Sequence, residues 1–558
     1  MSNVLLKKIL FVVAFMATSL FFISFDNSKD FELSKNLDIY YTLFKELDLY
    51  YVDDINSGQL IKTSIDKMLE SLDPYTNYIP ESKIEDFKFM TTGQYGGVGA
   101  SIRQSGKAIL IADIYEKFPA YNAGLKIGDQ LLKIDNTVLE NKTTDDISEL
   151  LRGQPGTKIS LLVKRPGVEK PLSIDITREL ISIGSVPYYG KLDEETGYIL
   201  LTGFTEKCGT DVRNALAELR NENVKHLIID LRNNPGGLLI ESVKIANLFL
   251  PKNVEVVSTK GKFQSQNNTY ATTSEPLDPK IALTILVNGN SASASEIVSG
   301  SLQDLDRAVI LGEKTFGKGL VQVTRKVSYN AELKVTTAKY YIPSGRCIQA
   351  KDYSQKNADG SIYVIPDSLK VEFKTKAGRQ VFDGGGIEPD ITIKEEFLNN
   401  FLIKLHNENV FFNFATEFVK KTPTIAKDFE VTDQIITDFK KFVAQSDFKY
   451  KTKSEDELEE IKKTIKRENL DTNLYTKIDA VLSDLKNETE SLIDRNKEEV
   501  RLFLANELYS RYYYQKDRII YQLSKDALVD SAIAIYKDKV RYQNILLGKA
   551  GNHLLQKQ

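Results

Sequence analysis

Apolar residues recur at helical spacing over residues 33–90, first as Leu37, Tyr40, Tyr41, Phe44, Leu47 and Leu49, then as Leu60, Ile61, Ile65, Met68, Leu69 and Leu72. This spacing predicts helices, and Leu72-Asp73-Pro74 ends the second. From Gly93 the texture changes to short alternating runs between glycine-rich turns. Strands are predicted at Gly99–Ile102, Ala108–Ile114, Gln130–Ile134, Lys158–Lys164 and Leu172–Ile176, with one helix at Thr144–Arg152. Residues 183–395 then alternate strands (Gly197–Phe204, Val224–Leu231, Ile281–Val287, Ala308–Gly312) with helices (Thr210–Asn221, Leu239–Phe249, Ser293–Asp304). Such alternation predicts an α/β layer with a buried sheet, and a β-rich stretch, Val321–Ile342, follows it.

Beyond Glu396 the composition shifts. Of the 32 glycines only Gly548 and Gly551 lie there, and of the 15 prolines only Pro423. Ile478, Leu485 and Leu492 fall at heptad spacing around Val481 and Leu482, which predicts a separate helical domain of bundle or coiled-coil character. The fold class is therefore multidomain α+β. Its divisions are an N-terminal segment 1–30, a helical region 31–92, an α+β module 93–182, an α/β core 183–395 and a helical domain 396–558.

Composition narrows the chemistry. With 558 residues, 42% hydrophobic and 27% charged, the chain is globular rather than disordered. A net charge of −3 provides no basic field for nucleic acid. The 3 His (His226, His406, His553) and 2 Cys (Cys208, Cys347) are scattered, so no zinc cluster and no disulfide framework is expected. The thiols are read as unpaired, with a single bridge between them left open. No metal or cofactor is called for. At the N-terminus Lys7 and Lys8 precede the uncharged run Ile9–Phe25. That pattern reads as an export signal, cleaved or kept as a membrane anchor, rather than a buried core helix, and the body is expected in the periplasm or cell envelope.

One segment offers a nucleophile. Strand Ile285–Val287 gives way to a small-residue turn, and a helix opens within Ser291-Ala292-Ser293-Ala294-Ser295-Glu296. A serine at a helix N-terminus sits among free N–H groups that favour an oxyanion. Ser293-x-x-Glu296 is equally a capping box, which needs no catalysis. A nucleophilic serine also needs a base. His226 opens an apolar strand and reads as structural. A lysine serves if burial lowers its pKa from about 10.4, and Lys318 lies between Gly317 and Gly319 beside Phe316 and Leu320. In an extended chain Lys318, Leu320 and Gln322 share one face, so that Gln322 can orient the amine. Gly312 to Gly319 approaches a phosphate-binding loop, but Gly319 stands where that motif needs Ser or Thr, and a strand rather than a helix follows. The turn Asp230–Gly237 ends a strand, where sites of α/β sheets form. It reads either as a plain turn or as a second amide donor beside Ala294 N–H.

These segments in this order resemble the carboxyl-terminal processing peptidases, or tail-specific proteases. The resemblance rests on Ser291–Ile297, Gln303-Asp304, Gly312-Glu313 to Gln322, the turn Leu231–Gly237, Tyr340–Arg346 and Gly386-Ile387-Glu388-Pro389-Asp390, with Leu72-Asp73-Pro74 near the start. It covers residues 37–395 and implies a serine–lysine peptidase with a core like those of crotonase and Clp peptidase. The nucleophile implied is Ser293, the base Lys318 and the orienting residue Gln322. The oxyanion donors implied are Ala294 and a glycine of the turn, taken as Gly236. Asp304 supports the fold. Residues 93–182 then resemble a PDZ domain, with Tyr95–Ile102 as carboxylate loop and binding strand and Ala123–Asp129 as its characteristic turn. Such a domain captures a free C-terminus as an added strand. Gly97, Val98, Gly99, Ala100, Ile102, Ile147 and Leu151 are its expected pocket.

The function expected is an exported endopeptidase acting on unfolded or C-terminally exposed proteins. The membrane is reached through the N-terminal run, and the helical regions offer a homodimer contact. The rival is a membrane-tethered PDZ scaffold with a non-catalytic core. A small-molecule amidase fits less well, given the peptide-binding module. Residues 350–384 and the C-terminal helices lie outside the common pattern.

Overall fold

The computed structural model describes residues 29–394, 399–471 and 473–549. The apolar run Ile9–Phe25 falls outside them. Two compact units are present, Met1–Tyr78 with Leu333–Val335 and Ile79–Glu332 with Thr336–Gln558. In the first, residues 29–50 are helical and helix Ser57–Glu70 follows. Asn56 caps that helix by accepting from the Gln59 N–H at 3.0 Å. Several apolar positions that predict these helices stay exposed, among them Leu37 at 59% and Tyr41 at 68%.

In the larger unit, the PDZ-like module is an antiparallel sheet. Its neighbours run Ala100–Ser105, Ala108–Ile114, Gln130–Ile134, Lys158–Lys164 and Leu172–Thr177. Helix Thr144–Leu151 opens on a capping box between Thr143 and Asp146. Ile111, Ile134, Ile147 and Leu161 fill its core. Strand Ala100–Ser105 stands at the edge of the sheet.

The core carries strands β1 (Tyr188–Lys191), β2 (Thr196–Leu200), β3 (His226–Asp230), β4 (Ala282–Val287), β5 (Val309–Gly312) and β6 (Ile391–Thr392), adjacent in that order. β1 is antiparallel to β2, and the later pairs are parallel. Parallel strands are buried on both faces, and alternation along β3 shows how. Leu227 and Ile229 face helices α1 (Cys208–Asn221), α2 (Leu239–Ala246) and α3 (Ala294–Asp304), meeting Val212, Leu216, Val243 and Ile297. Ile228 belongs to the opposite cluster, with Leu286 and Leu311.

Helices α4 (Ala527–Lys537) and α5 (Lys539–Leu546) seal that opposite face with Val529, Ile535, Tyr542 and Ile545. The Tyr542 hydroxyl accepts from Leu283 N–H at 2.7 Å and donates to Leu283 C=O at 2.9 Å. Helices α4 and α5 of the C-terminal helical region thus add a layer to the core. The remaining C-terminal helices keep their own core of Phe401, Phe411, Phe414, Phe439, Leu504 and Leu508. Ile478, Val481, Leu482 and Leu485 lie in helix Asn473–Glu490, which pairs with Lys453–Arg467, and Leu492 opens the next helix, Leu492–Arg495.

The thiols of Cys208 and Cys347 are free. His226 is buried, with Nε2 2.8 Å from the Thr284 hydroxyl and its ring stacked on Tyr536 at 4.2 Å. Burial pulls its pKa down to about 3, so it is neutral and structural.

Candidate active site

The turn between β4 and α3 carries three serines, and packing separates them. Ser291 is buried; its hydroxyl donates to Leu231 C=O at 2.7 Å and accepts from Asn288 N–H at 3.0 Å. Ser295 is buried and donates to Asn234 C=O at 2.9 Å. Both hydroxyls therefore stitch the serine turn to the Leu231–Gly237 turn. Ser293 stands between them, part-exposed, with φ 58° and ψ −113°. A non-glycine residue seldom adopts this backbone and holds it only where its surroundings impose it.

Those surroundings are specific. The Ser293 N–H donates to Glu296 Oε2 at 2.8 Å. Its carbonyl accepts from Glu296 and Ile297 N–H groups at 2.9 Å and from the Tyr340 hydroxyl at 3.1 Å. The capping-box reading is thus half met: Glu296 reaches back, but its own amide bonds the Ser293 carbonyl. Ala294 heads α3, at the position whose N–H has no partner within the helix.

Glu296 does more than cap. Its Oε2 also accepts from Lys318 N–H at 2.8 Å, and its Oε1 accepts from the Thr315 hydroxyl at 2.5 Å and Gly317 N–H at 2.7 Å. One fully buried carboxylate therefore fastens the backbone of Ser293 and of Lys318 to the same oxygen. Burial pushes its pKa up to about 7, while the four donors pull against that rise. The flanking glycines are explained by contact. A Cβ on Gly317 (φ 83°) would lie 2.5 Å from Ala350 Cβ, and one on Gly319 would lie 2.9 Å from Gln349 N.

Lys318 lies outside the strand, which begins at Leu320. Gln322 Nε2 donates to the Thr336 hydroxyl at 3.2 Å, leaving its carbonyl oxygen as the end able to accept.

Gly236 adjoins the nucleophile: a Cβ there would lie 2.8 Å from Ser293 Cβ and 2.9 Å from Ala294 N. Its N–H, however, donates to Asn234 Oδ1 at 2.9 Å. The amide expected as an oxyanion donor is thus engaged by the side chain two residues before it. Asp304 pairs with Arg346 at 2.8 Å, both side chains fully buried, and so holds the far end of α3. Arg232 links the turn to the chain end, reaching Asp230 and Asp526 at 2.5 Å each.

In the PDZ-like module Val98, Ala100, Ile102 and Leu151 line a groove of about 320 Å³. Ile147 does not; it is fully buried in the module's core. The helix turns Thr144, Ser148 and Leu151 to the groove instead, with Asp145 and Arg152 beside them. Tyr95, which opens the Tyr95–Ile102 segment, forms an aromatic wall with Phe89 and Tyr115, neither of which is expected from the sequence. Gly97 and Gly99 shape the loop before the strand. A Cβ on Gly97 would meet the Tyr95 ring at 2.6 Å, and one on Gly99 (φ 78°) would meet Phe118 Cβ at 2.5 Å.

Comparison with known proteins follows this division. Residues 195–367 match the model of "Peptidase family S41", 110–165 that of "PDZ domain", and 401–536 that of "Probable PDZ-protease, C-terminal helical domain". The chain is 38% identical over 295 residues to a carboxy-terminal-processing protease of Bartonella bacilliformis, covering 52% of this chain and 67% of that one. It is 33% identical over 386 residues to a "Probable CtpA-like serine protease" of Staphylococcus aureus, covering 68% and 75%. Among solved structures it is similar to a photosystem II D1 C-terminal processing protease, at 25% identity and a TM-score of 0.35, covering 64% and 93%.

Proposed function

The chain belongs to peptidase family S41, among the carboxy-terminal-processing proteases, and on that premise we propose that it cleaves peptide bonds with a Ser293–Lys318 dyad assisted by Gln322. Membership makes the chain a peptidase and sets aside the non-catalytic scaffold. The observation that carries the dyad is the shared Glu296 oxygen, which holds the backbones of Ser293 and Lys318 together. The neighbouring serines, meanwhile, are spent on backbone carbonyls.

The chemistry runs in two halves. Neutral Lys318 Nζ takes the Ser293 hydroxyl proton as Oγ bonds the substrate carbonyl carbon. The oxyanion is held by Ala294 N–H, joined by Gly236 N–H once it turns from Asn234. As the intermediate collapses the C–N bond breaks, and protonated Lys318 gives its proton to the leaving amine. Water then adds to the acyl-enzyme with Lys318 again as base, freeing the new C-terminus and the serine. The Gln322 carbonyl oxygen orients the amine.

Substrate enters as a free C-terminus. The groove lies beside an open sheet edge and an apolar floor, the arrangement that captures a tail as an added strand. Its occupants are proteins with an apolar, unstructured tail. Lys7, Lys8 and the uncharged Ile9–Phe25 support export to the cell envelope. The exposed apolar residues of the N-terminal helices support a second copy as partner. The test is cleavage of an unstructured, apolar-tailed protein followed by mass spectrometry. Ser293→Ala abolishes it, and Lys318→Arg does too, because Arg stays protonated. Retained cleavage in either variant refutes the dyad.

A further inference from the structure

The tail-reading edge has an end, and the helical domain supplies it. A carboxylate caught by the loop before Ala100 places the last residue of a tail beside the start of strand Ala100–Ser105. Earlier residues of the tail then lie beside later residues of the strand. The open edge does not run its whole length. Asn409, in a left-handed conformation (φ 60°) at the head of helix Val410–Lys421, spends both ends of its amide on this strand. Its Nδ2 donates to Gln104 C=O at 2.9 Å, and its Oδ1 accepts from Arg103 at 3.1 Å.

The contact is braced. The Arg103 and Arg511 guanidiniums lie 4.6 and 4.0 Å from the centroid of the Phe412 ring, and Glu507 approaches them at 3.9 and 3.8 Å. On the neighbouring strand Asp113 pairs with Arg518 at 2.6 Å, and Tyr121 meets Tyr514 with hydroxyls 3.1 Å apart. The helical domain is therefore fastened to the module where the strand would otherwise stay open.

We propose that Asn409 terminates tail recognition: its side chain occupies the backbone acceptor that a further residue of the tail would use. The groove then registers only the residues that pair between Ala100 and Arg103, about four at one partner per residue. The chain upstream is turned off the sheet at the head of helix Val410–Lys421. This inference rests on the tail-capture reading. It adds a specificity rule: side chains beyond about the fourth from the C-terminus leave affinity for the groove unchanged.

The experiment uses the full chain carrying Ser293→Ala, so that peptides bind without being cut. Fluorescence anisotropy is read with N-terminally labelled peptides of three to eight residues that end in the same apolar carboxylate. In this parent, affinity rises up to about four residues and then levels. Asn409→Gly accepts the left-handed backbone and removes the amide, so affinity goes on rising, gaining about three- to tenfold by six residues, the worth of one recovered hydrogen bond. Asn409→Asp keeps the acceptor for Arg103, loses the donor to Gln104, and shifts the same way. N-methylation of the fifth amide from the C-terminus is neutral in the parent and weakens binding in the variants. A parent whose affinity climbs past five residues, or variants that level where the parent does, overturn the proposal. Amidated peptides separate the two readings. If amidation leaves binding intact, tail capture fails and takes the proposal with it. If amidation abolishes binding while parent and variants share one length dependence, only the role of Asn409 fails.

Discussion

The serine turn and the PDZ groove solve opposite problems within one chain. Around Ser293 hydrogen bonds tie the neighbouring hydroxyls and the surrounding backbone: Ser291 and Ser295 hold the adjoining turn, and Glu296 takes four donors. What stands apart is one hydroxyl in a backbone conformation it would not choose. Around the groove the reverse holds. A strand edge is left open, hydroxyl and carboxyl side chains line one wall, and the fastening sits at the rim. Bond cleavage needs fixed atoms; recognition of a tail needs backbone left unsatisfied until the tail arrives.

That contrast can be broken from either side. The largest effect is on the scaffold of the serine turn. Asp304→Ala leaves Arg346 buried and unpaired, so it costs about 3–5 kcal/mol of stability. Chemical denaturation measures the loss, and the folded fraction keeps its kcat because Asp304 touches no reacting group.

Next comes the fastening itself. Glu296→Ala frees two backbones at once and lowers kcat by about 10²-fold, the scale of a misplaced reacting group, with KM little changed. The same carboxylate gives a pH signature. Its folded pKa of about 7 stands above its ordinary value of 4.5. The folded state therefore binds a proton the unfolded chain does not, and between these values acidification favours folding through this group. Protonation also replaces an acceptor with a donor facing Ser293 and Lys318. As pH drops below about 7, kcat falls while the Glu296 contribution to Tm rises, which pH-resolved kinetics and thermal melts check together.

On the groove side, Ser148→Phe fills the space beside Leu151 and raises KM about tenfold, or ~1.4 kcal/mol, with kcat unchanged. Ser148→Ala leaves the groove open and KM near wild type. Smallest is Tyr340→Phe, which removes one hydrogen bond to the Ser293 carbonyl and costs about 1 kcal/mol, about fivefold in kcat by steady-state assay.

How much of this was legible depends on how local each signal is. Strands Ala108–Ile114, Gln130–Ile134 and Lys158–Lys164 are read from the sequence to the residue, because period-two alternation and flanking glycines lie within a few positions. Ser293 and Lys318 stand out in the sequence as candidates because of their small-residue surroundings. Glu296 shows only its capping role in sequence. Gly317 and Lys318, which complete its set of donors, return to it from the far side of β5. The engaged Gly236 amide had a local signal in Asn233-Asn234-Pro235-Gly236, where an Asn side chain readily bonds the backbone two residues on. Ile147 was misplaced for a geometric reason. It shares a helical face with Leu151, but the groove takes the face of Thr144, Ser148 and Leu151. Composition beyond Glu396 announces helices in general, but nothing near α4 and α5 in sequence says that their apolar face closes a sheet formed hundreds of residues earlier.

The central claim is that Ser293 carries the acyl group. Intact and peptide-level mass spectrometry of the wild-type chain, acid-quenched during turnover of an apolar-tailed peptide, tests it directly. The account predicts an added acyl mass on the peptide containing Ser293 that decays as product forms and is absent from Ser293→Ala. An adduct on Ser295 or elsewhere, or product formed by Ser293→Ala, would contradict it.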